Sequence, residues 1–248
     1  MTLGIATARE QPGLAEKASG LAANVWPEYN KHGDVLNEFW ARLESEFGDF
    51  QFVLYDDEDD SILAQGHSIP LSWDGTPGGL PNGIDGLVRG AFELREAGRE
   101  PSTLSALAIE ILPAHQGKGL SARMIDAMRS IAKANGLSNV IAPVRPSWKE
   151  RYPLAAIERY ARWTRADGLP FDPWIRTHIR LGGEILQPEP ESLRITGTVA
   201  EWEEWTTMRF PESGTYVFPH GLAPLMIDRE SDHGSYWEPN VWMLHPLA

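Results

Sequence analysis

A chain of 248 residues with 42% hydrophobic and 23% charged residues has the length and composition of one large or two small globular domains, which excludes a disordered or fibrous class. It has no cysteine, so disulfides, thiolate metal sites, iron–sulfur ligation, CxxC redox chemistry and an acyl group carried on a cysteine are excluded. The net charge of −13 repels phosphate backbones and anionic lipid. With no run of ~18 apolar residues and no basic-then-apolar segment over residues 1–17, the expectation is a soluble cytoplasmic protein with neither nucleic acid nor membrane as partner.

The start of the chain is poorly patterned and offers no clear first strand. Residues 14–26 have helical composition, ended by Pro27. Asp34 is placed to N-cap a second helix in which Leu36, Phe39, Trp40, Leu43 and Phe47 recur at three- and four-residue steps, and Gly48 closes it. Two apolar and aromatic runs, 51–55 and 62–73, flank the acidic turn 56–60 and read as a hairpin. The five acids do not form an EF-hand loop, because its sixth position is Ser61 and its twelfth is His67. Residues 73–86 are dense in glycine and proline and read as a loop, followed by a short helix over 84–97.

Residues 104–112 are almost wholly apolar, as expected of a strand covered on both faces. The turn PAHQGKGLS leads into a helix over 121–135 with the stripe Leu120, Met124, Met128 and Ile131, and Gly136 as its C′ residue. Residues 139–144 form a second short buried strand. Residues 145–182 are irregular, with helices around 154–163 and 173–181, and the tail is strand-like over 195–202, 216–227 and 236–244. No repeat or linker divides the chain, so residues 1–248 read as one elaborated α/β domain around a core motif at 104–144.

The chemistry concentrates in that motif. A helix beginning at Gly119 or Leu120 presents backbone N–H groups that lack intrahelical partners, with the positive end of the helix dipole behind them. Diphosphate is the natural occupant. Gly117 and Gly119 remove side chains where phosphates approach the backbone, and Lys118 adds a positive charge. The nucleotide P-loop pattern fails, since Lys118 is followed by Gly119, and the dinucleotide pattern GxGxxG fails after Gly119. Gly66-His67-Ser68-Ile69-Pro70 begins like a hydrolase nucleophile elbow, but it ends in proline and lies within a strand.

Gln116-Gly117-Lys118-Gly119-Leu120-Ser121 resembles the [Q/R]-x-x-G-x-[G/A] signature of the GNAT (GCN5-related N-acetyltransferase) superfamily, with Ser121 as its one departure. The flanking segments agree: 109–113 looks like the superfamily's fourth strand, 121–135 like its third helix and 139–144 like its fifth strand. The match covers 104–144 well and 14–73 loosely. The fold this implies is a mixed, mostly antiparallel sheet, splayed between the fourth and fifth strands and flanked by helices, with insertions.

The resemblance implies that acyl-CoA, most simply acetyl-CoA, is a co-substrate and that no metal takes part. Its pantetheine arm would meet the backbone at Ile109 and Ile111. Its pyrophosphate would sit on the amides of Gln116, Gly117, Lys118, Gly119, Leu120 and Ser121. Direct transfer to an amine in a ternary complex needs no protein thiol, but a primary amine of pKa near ~10 must first lose a proton. Glu110 is the candidate base, because strand alternation sets it on the face opposite Ile109 and Ile111, where desolvation raises a carboxyl pKa; a plain ion pair with an arginine is the competing reading. Tyr152, with Tyr160 further along, stands where the family places a tyrosine that protonates the departing thiolate, and His178 competes if the fourth helix lies at 173–181.

Trp26 and Trp73 fall in segments that approach the acceptor pocket in this superfamily, against the ordinary reading of large aromatics as packing. Arg145 is expected to meet a CoA phosphate, a substrate carboxylate or a surface partner. The loop 73–90, the segment 145–182 and the aromatic tail exceed a minimal core, as a lid over the acceptor or a homodimer interface. The function implied is N-acyl transfer to a small-molecule amine, and the alternative is a CoA-binding regulatory or assembly module without catalysis.

Overall fold

The computed structural model describes residues 2–21 and 25–247. Among the described residues nine strands form one sheet: β1 (Leu3–Thr7), β2 (Gln51–Asp56), β3 (Ile62–Leu71), β4 (Thr103–Ile111), β5 (Asn139–Val144), β6 (Glu184–Gly197), β7 (Gly214–Tyr216), β8 (Leu225–Asp228) and β9 (His233–Pro246). Their order is β1-β2-β3-β4-β5-β9-β8-β7, with β6 also paired to β9. Every pairing is antiparallel except β4 with β5.

The helices are α1 (Pro12–Ala18), α2 (Leu36–Trp40), α3 (Leu43–Phe47), α4 (Gly83–Glu96), α5 (Leu120–Ala134), α6 (Ile157–Tyr160), α7 (Pro173–Arg180) and α8 (Val199–Thr206). Leu104 and Val140 from β4 and β5 pack under Met124, Met128 and Ile131 of α5. The neighbouring Ile141 turns the opposite way, toward Leu87 and Phe92 of α4 and Leu43 and Phe47 of α3. Strand alternation thus buries β4 and β5 between two helical layers, which explains why both read as continuous apolar runs.

Several sequence expectations need correction. The unplaced first strand is β1, a five-residue edge strand on β2. The helix expected over 14–26 is shorter, ending at Ala18, and its 22–24 portion lies outside the described residues. Asp34 does not cap a helix. Its carboxylate instead accepts from the backbone N–H of Thr196 at 2.7 Å and from its hydroxyl, and the segment that follows divides into α2 and α3. The strand expected at 195–202 stops at Gly197, where Thr198 and Glu201 form a reciprocal capping box that starts α8. The strands 51–55 and 139–144, the helix after the glycine turn and the helix at 173–181 stand to within a residue or so, whereas the helix expected over 154–163 shrinks to the four residues of α6.

Candidate active site

β4 and β5 are hydrogen-bonded only at their starts, where Thr103, Leu104 and Ser105 face Asn139, Val140 and Ile141. Beyond Ser105 they diverge, so among the described residues the β4 edge from Ala106 onward has no strand partner on that side. A cavity of about 440 Å³ opens between them, walled by residues 106–110 of β4 and 142–145 at the end of β5. Trp26, Trp40 of α2, Trp174 of α7 and Leu193 of β6 close its sides, and Glu238 and Asn240 of β9 also line it.

A single irregularity in β4 decides what faces this cavity. Against β3, His67 pairs with Ala108 and the next residue, Ser68, pairs with Ala106, so Leu107 is an extra residue. Leu104, Ile109 and Ile111 all pack in the α5 layer although one is even-numbered and two are odd. The bulge therefore reverses the alternation. Without it, Glu110 would share the face of Leu104 and point into the apolar α5 layer. With it, Glu110 turns to the opposite side and joins the cavity wall.

Glu110 is fully buried. The Trp26 indole N–H donates to its Oε1 at 2.5 Å and the Gln65 amide donates to its Oε2. Desolvation pushes the carboxyl pKa up, and the hydrogen bonds from Gln65 and Trp26 oppose that push. Among the described residues no arginine or lysine pairs with it, which sets the ion-pair reading aside. Burial without a cationic partner suits a carboxylate to taking up a proton.

The turn after β4 is exposed from Gln116 to Gly119. Gly117 and Gly119 have φ of +72° and +77°, a region that side-chain-bearing residues avoid, and Gly119 is the N-cap of α5 with no side chain capping the helix. The Gln116 amide donates to the Pro113 carbonyl at 3.3 Å and the Ala122 amide to the Gly119 carbonyl at 3.2 Å, which leaves the amides of Leu120 and Ser121, among the described residues, for an outside acceptor. Gln116 donates from its side chain to the Ile111 carbonyl at 3.1 Å, holding the turn against the end of β4. Residues 113–121 contain no acid, so nothing in the turn repels an anionic group.

No protein-family model matches the chain. Arginine N-acetyltransferase avaD of Aspergillus versicolor is 27% identical over 252 residues, covering 91% of this chain and 86% of that protein. The loading GNATL domain of CurA from Lyngbya majuscula superposes with a TM-score of 0.61 at 17% identity, over 100% of this chain and 98% of that one. The GphF GNAT-like decarboxylase in complex with isobutyryl-CoA follows at 0.57 and 15%, over 100% of both chains. A mosquito arylalkylamine N-acetyltransferase-like protein, 5b, gives 0.51 at 12%, over 99% of this chain and 100% of that one. The chain has the GNAT fold.

Within this GNAT fold the sequence-derived candidates separate. Glu110, Ile109 and Trp26 line the cavity, with Ile111 at the following turn of β4. Trp73 does not. It is buried beside Leu71, Leu80 and Leu87, and its indole donates to the Thr76 carbonyl at 2.8 Å, which makes it a packing residue of the 73–83 loop. Tyr152 is also absent from the cavity. It lies more than a third exposed in an aromatic cluster with Tyr160, Trp163 and Phe171, because the segment after β5 turns away before reaching α6.

Arg145 lines the cavity but is already committed. It donates to Glu238 and, at 2.9 Å each, to the Tyr29 hydroxyl and the His220 carbonyl. His178 reaches the cavity from α7, and its Nδ1 lies 2.8 Å from Nε2 of His245. Burial holds both rings neutral, lowering their pKa values to about 3 and about 4. The residues missed by sequence reading are Trp40, Trp174, Glu238 and Asn240. For the last two a signal was present: polar side chains two positions apart in an otherwise apolar strand point to one face. Among the described residues, no group of three or more His, Asp or Glu could hold a metal ion, and no helix is long and apolar enough to cross a membrane.

Proposed function

We propose that this GNAT-fold chain is an acyl-CoA-dependent N-acetyltransferase that uses acetyl-CoA and acts on the amine of a small molecule, with both substrates held together in the β4–β5 cavity. The observation that carries the reading is the meeting of three features at one end of the sheet: strands that part, a helix start with free amides, and a buried carboxylate without a cation. The donor supplies an acyl group already activated as a thioester. The unpartnered β4 edge by Ile109 and Ile111 suits its extended arm, and the turn from Gln116 to Ser121 suits its pyrophosphate.

Glu110 takes the proton of the ammonium so that nitrogen can form its bond to the acyl carbon as the carbon–sulfur bond breaks. As the amide forms, the nitrogen releases its second proton to solvent, and with Tyr152 outside the cavity the departing sulfur takes one from solvent, which a thiol with a reference pKa near ~8.5 does readily at neutral pH. The arginine N-acetyltransferase relative supports an amino-acid acceptor. The three tryptophans of the wall support an acceptor with a substantial apolar stem.

The reading is tested by thiol release from acetyl-CoA against arginine, other amino acids, arylalkylamines and aminoglycosides, with product masses. Release that depends on the amine, with an acetylated product, is expected. Tight CoA binding without turnover of any acceptor would instead indicate a non-catalytic CoA-binding module. Carbon dioxide released from a carboxyacyl-CoA without any amine would indicate the kind of reaction named for the GphF relative.

A further inference from the structure

His67 of β3 lies beside Glu110 and has no part in the transfer as described above. Gln51 fixes its protonation. The Gln51 amide nitrogen donates to the Phe47 and Ser68 carbonyls at 3.0 and 2.8 Å, which leaves its oxygen facing His67 Nδ1 at 3.0 Å. Nδ1 must therefore carry the hydrogen, and Nε2 carries the lone pair. That nitrogen is buried, has no hydrogen-bond partner among the described residues, and stands 4.0 Å from Oε2 of Glu110. The Trp40 ring lies over the imidazole with centroids 4.8 Å apart.

Two acceptors thus face each other with no hydrogen between them while Glu110 is ionised. A buried acceptor left unpaired is costly, and the proton that Glu110 captures is a donor able to satisfy it. We propose that His67 is a positioning residue for the base, its Nε2 accepting a hydrogen bond from the protonated Glu110 carboxyl. This rests on the reading of Glu110 as the proton acceptor. The proton stays on Glu110, because burial lowers the pKa of the imidazole to about 4 and keeps the ring neutral. A hydrogen bond to the neutral carboxyl raises the pKa of Glu110 and makes its carboxylate a stronger base.

Other ionisable groups around the cavity are engaged elsewhere. Lys31 is held by Glu28 at 2.5 Å, Arg145 and Glu238 hold each other, and His178 is hydrogen-bonded to His245. The direct polar neighbours of Glu110, Trp26 and Gln65, do not titrate.

The test is the pH profile of kcat/KM for the amine, measured alongside CoA affinity. His67→Phe keeps a ring against Trp40 but has no acceptor. The acid limb is expected to move down by about half to one pH unit, and His67→Gln, which retains an acceptor, should return it toward the wild-type position. A limb that stays in place or moves up in His67→Phe overturns the proposal, since added apolar surface alone would raise a carboxyl pKa.

Should His67→Phe fail to fold, nitrogen NMR of the wild-type imidazole decides. A protonated Nδ1, with an Nε2 shift that follows the Glu110 titration, is expected. A hydrogen on Nε2, or no response, contradicts it. Glu110→Gln separates the two levels: a wild-type profile in that variant removes the base reading itself, whereas an acid limb lost there but unmoved in His67→Phe removes only the role of His67.

Discussion

Glu110→Gln is expected to lower kcat/KM for the amine roughly 10²–10⁴-fold at neutral pH, the usual worth of a positioned general base, while leaving the dissociation constant of CoA unchanged. Glutamine keeps the shape and polarity of a side chain fully buried between Trp26 and Gln65, so the loss would report the missing proton acceptor and not a cavity. The pH dependence carries the sign. Activity should fall as pH drops through the carboxyl's pKa, which desolvation places above the ordinary glutamate value. That limb should vanish in the variant. Because an amine of pKa near ~10 is almost wholly protonated at pH 7, the variant should recover part of its deficit as pH rises. A variant with wild-type kcat/KM across the range would show that the proton leaves by another route.

Glu238→Gln should have the largest effect on stability. Glu238 is buried on β9 and accepts from Arg145, from the Tyr236 hydroxyl and, at 3.2 Å, from the Asn30 amide. Tyr29 joins the same group by accepting from Arg145 and donating to the His220 carbonyl at 2.8 Å, and its ring packs edge-on against Phe218 and Tyr236. The cluster ties the segment before α2, the end of β5, the loop before β8 and the middle of β9 into one wall of the cavity. Breaking one side of a buried pair leaves the other charge uncompensated, at a cost of about 3–5 kcal/mol. In a chain of this size that lowers the melting temperature by on the order of 10 °C. Thermal unfolding followed by circular dichroism checks it, and a midpoint within a degree or two of wild type would mean that Arg145 finds another partner.

The part of the molecule legible in the sequence is the part whose signals are local. β4, the glycine turn, α5 and β5 are contiguous, and each is specified by its own pattern: apolar runs, two glycines at positive φ, a helical stripe and a glycine stop. β1 was hidden because an edge strand of five residues containing Gly4 and Ala6 has little alternation to read. The first half of α8 reads as the end of a strand because Val199 and Trp202 favour strands in isolation. The capping box at Thr198 and Glu201 overrides that preference.

Glu110 was legible as a buried acid, but the reason it faces the cavity was not. The bulge at Leu107 is a property of the pairing between β3 and β4, and no single strand displays it. Tyr152 and Trp73 are expected at the site only from the positions that the resemblance assigns to them. The path after β5 and the folding of the glycine-rich loop onto α4 carried them elsewhere.

If the parting of β4 and β5 is the acyl-CoA site, Glu110 faces the reacting group. A crystal structure with CoA bound tests it most directly. The pyrophosphate is expected on the turn from Gln116 to Ser121, the pantetheine along the β4 edge by Ile109 and Ile111, and the sulfur in the cavity that Glu110 lines. CoA bound on another face of the sheet, or a sulfur directed away from Glu110, would contradict it.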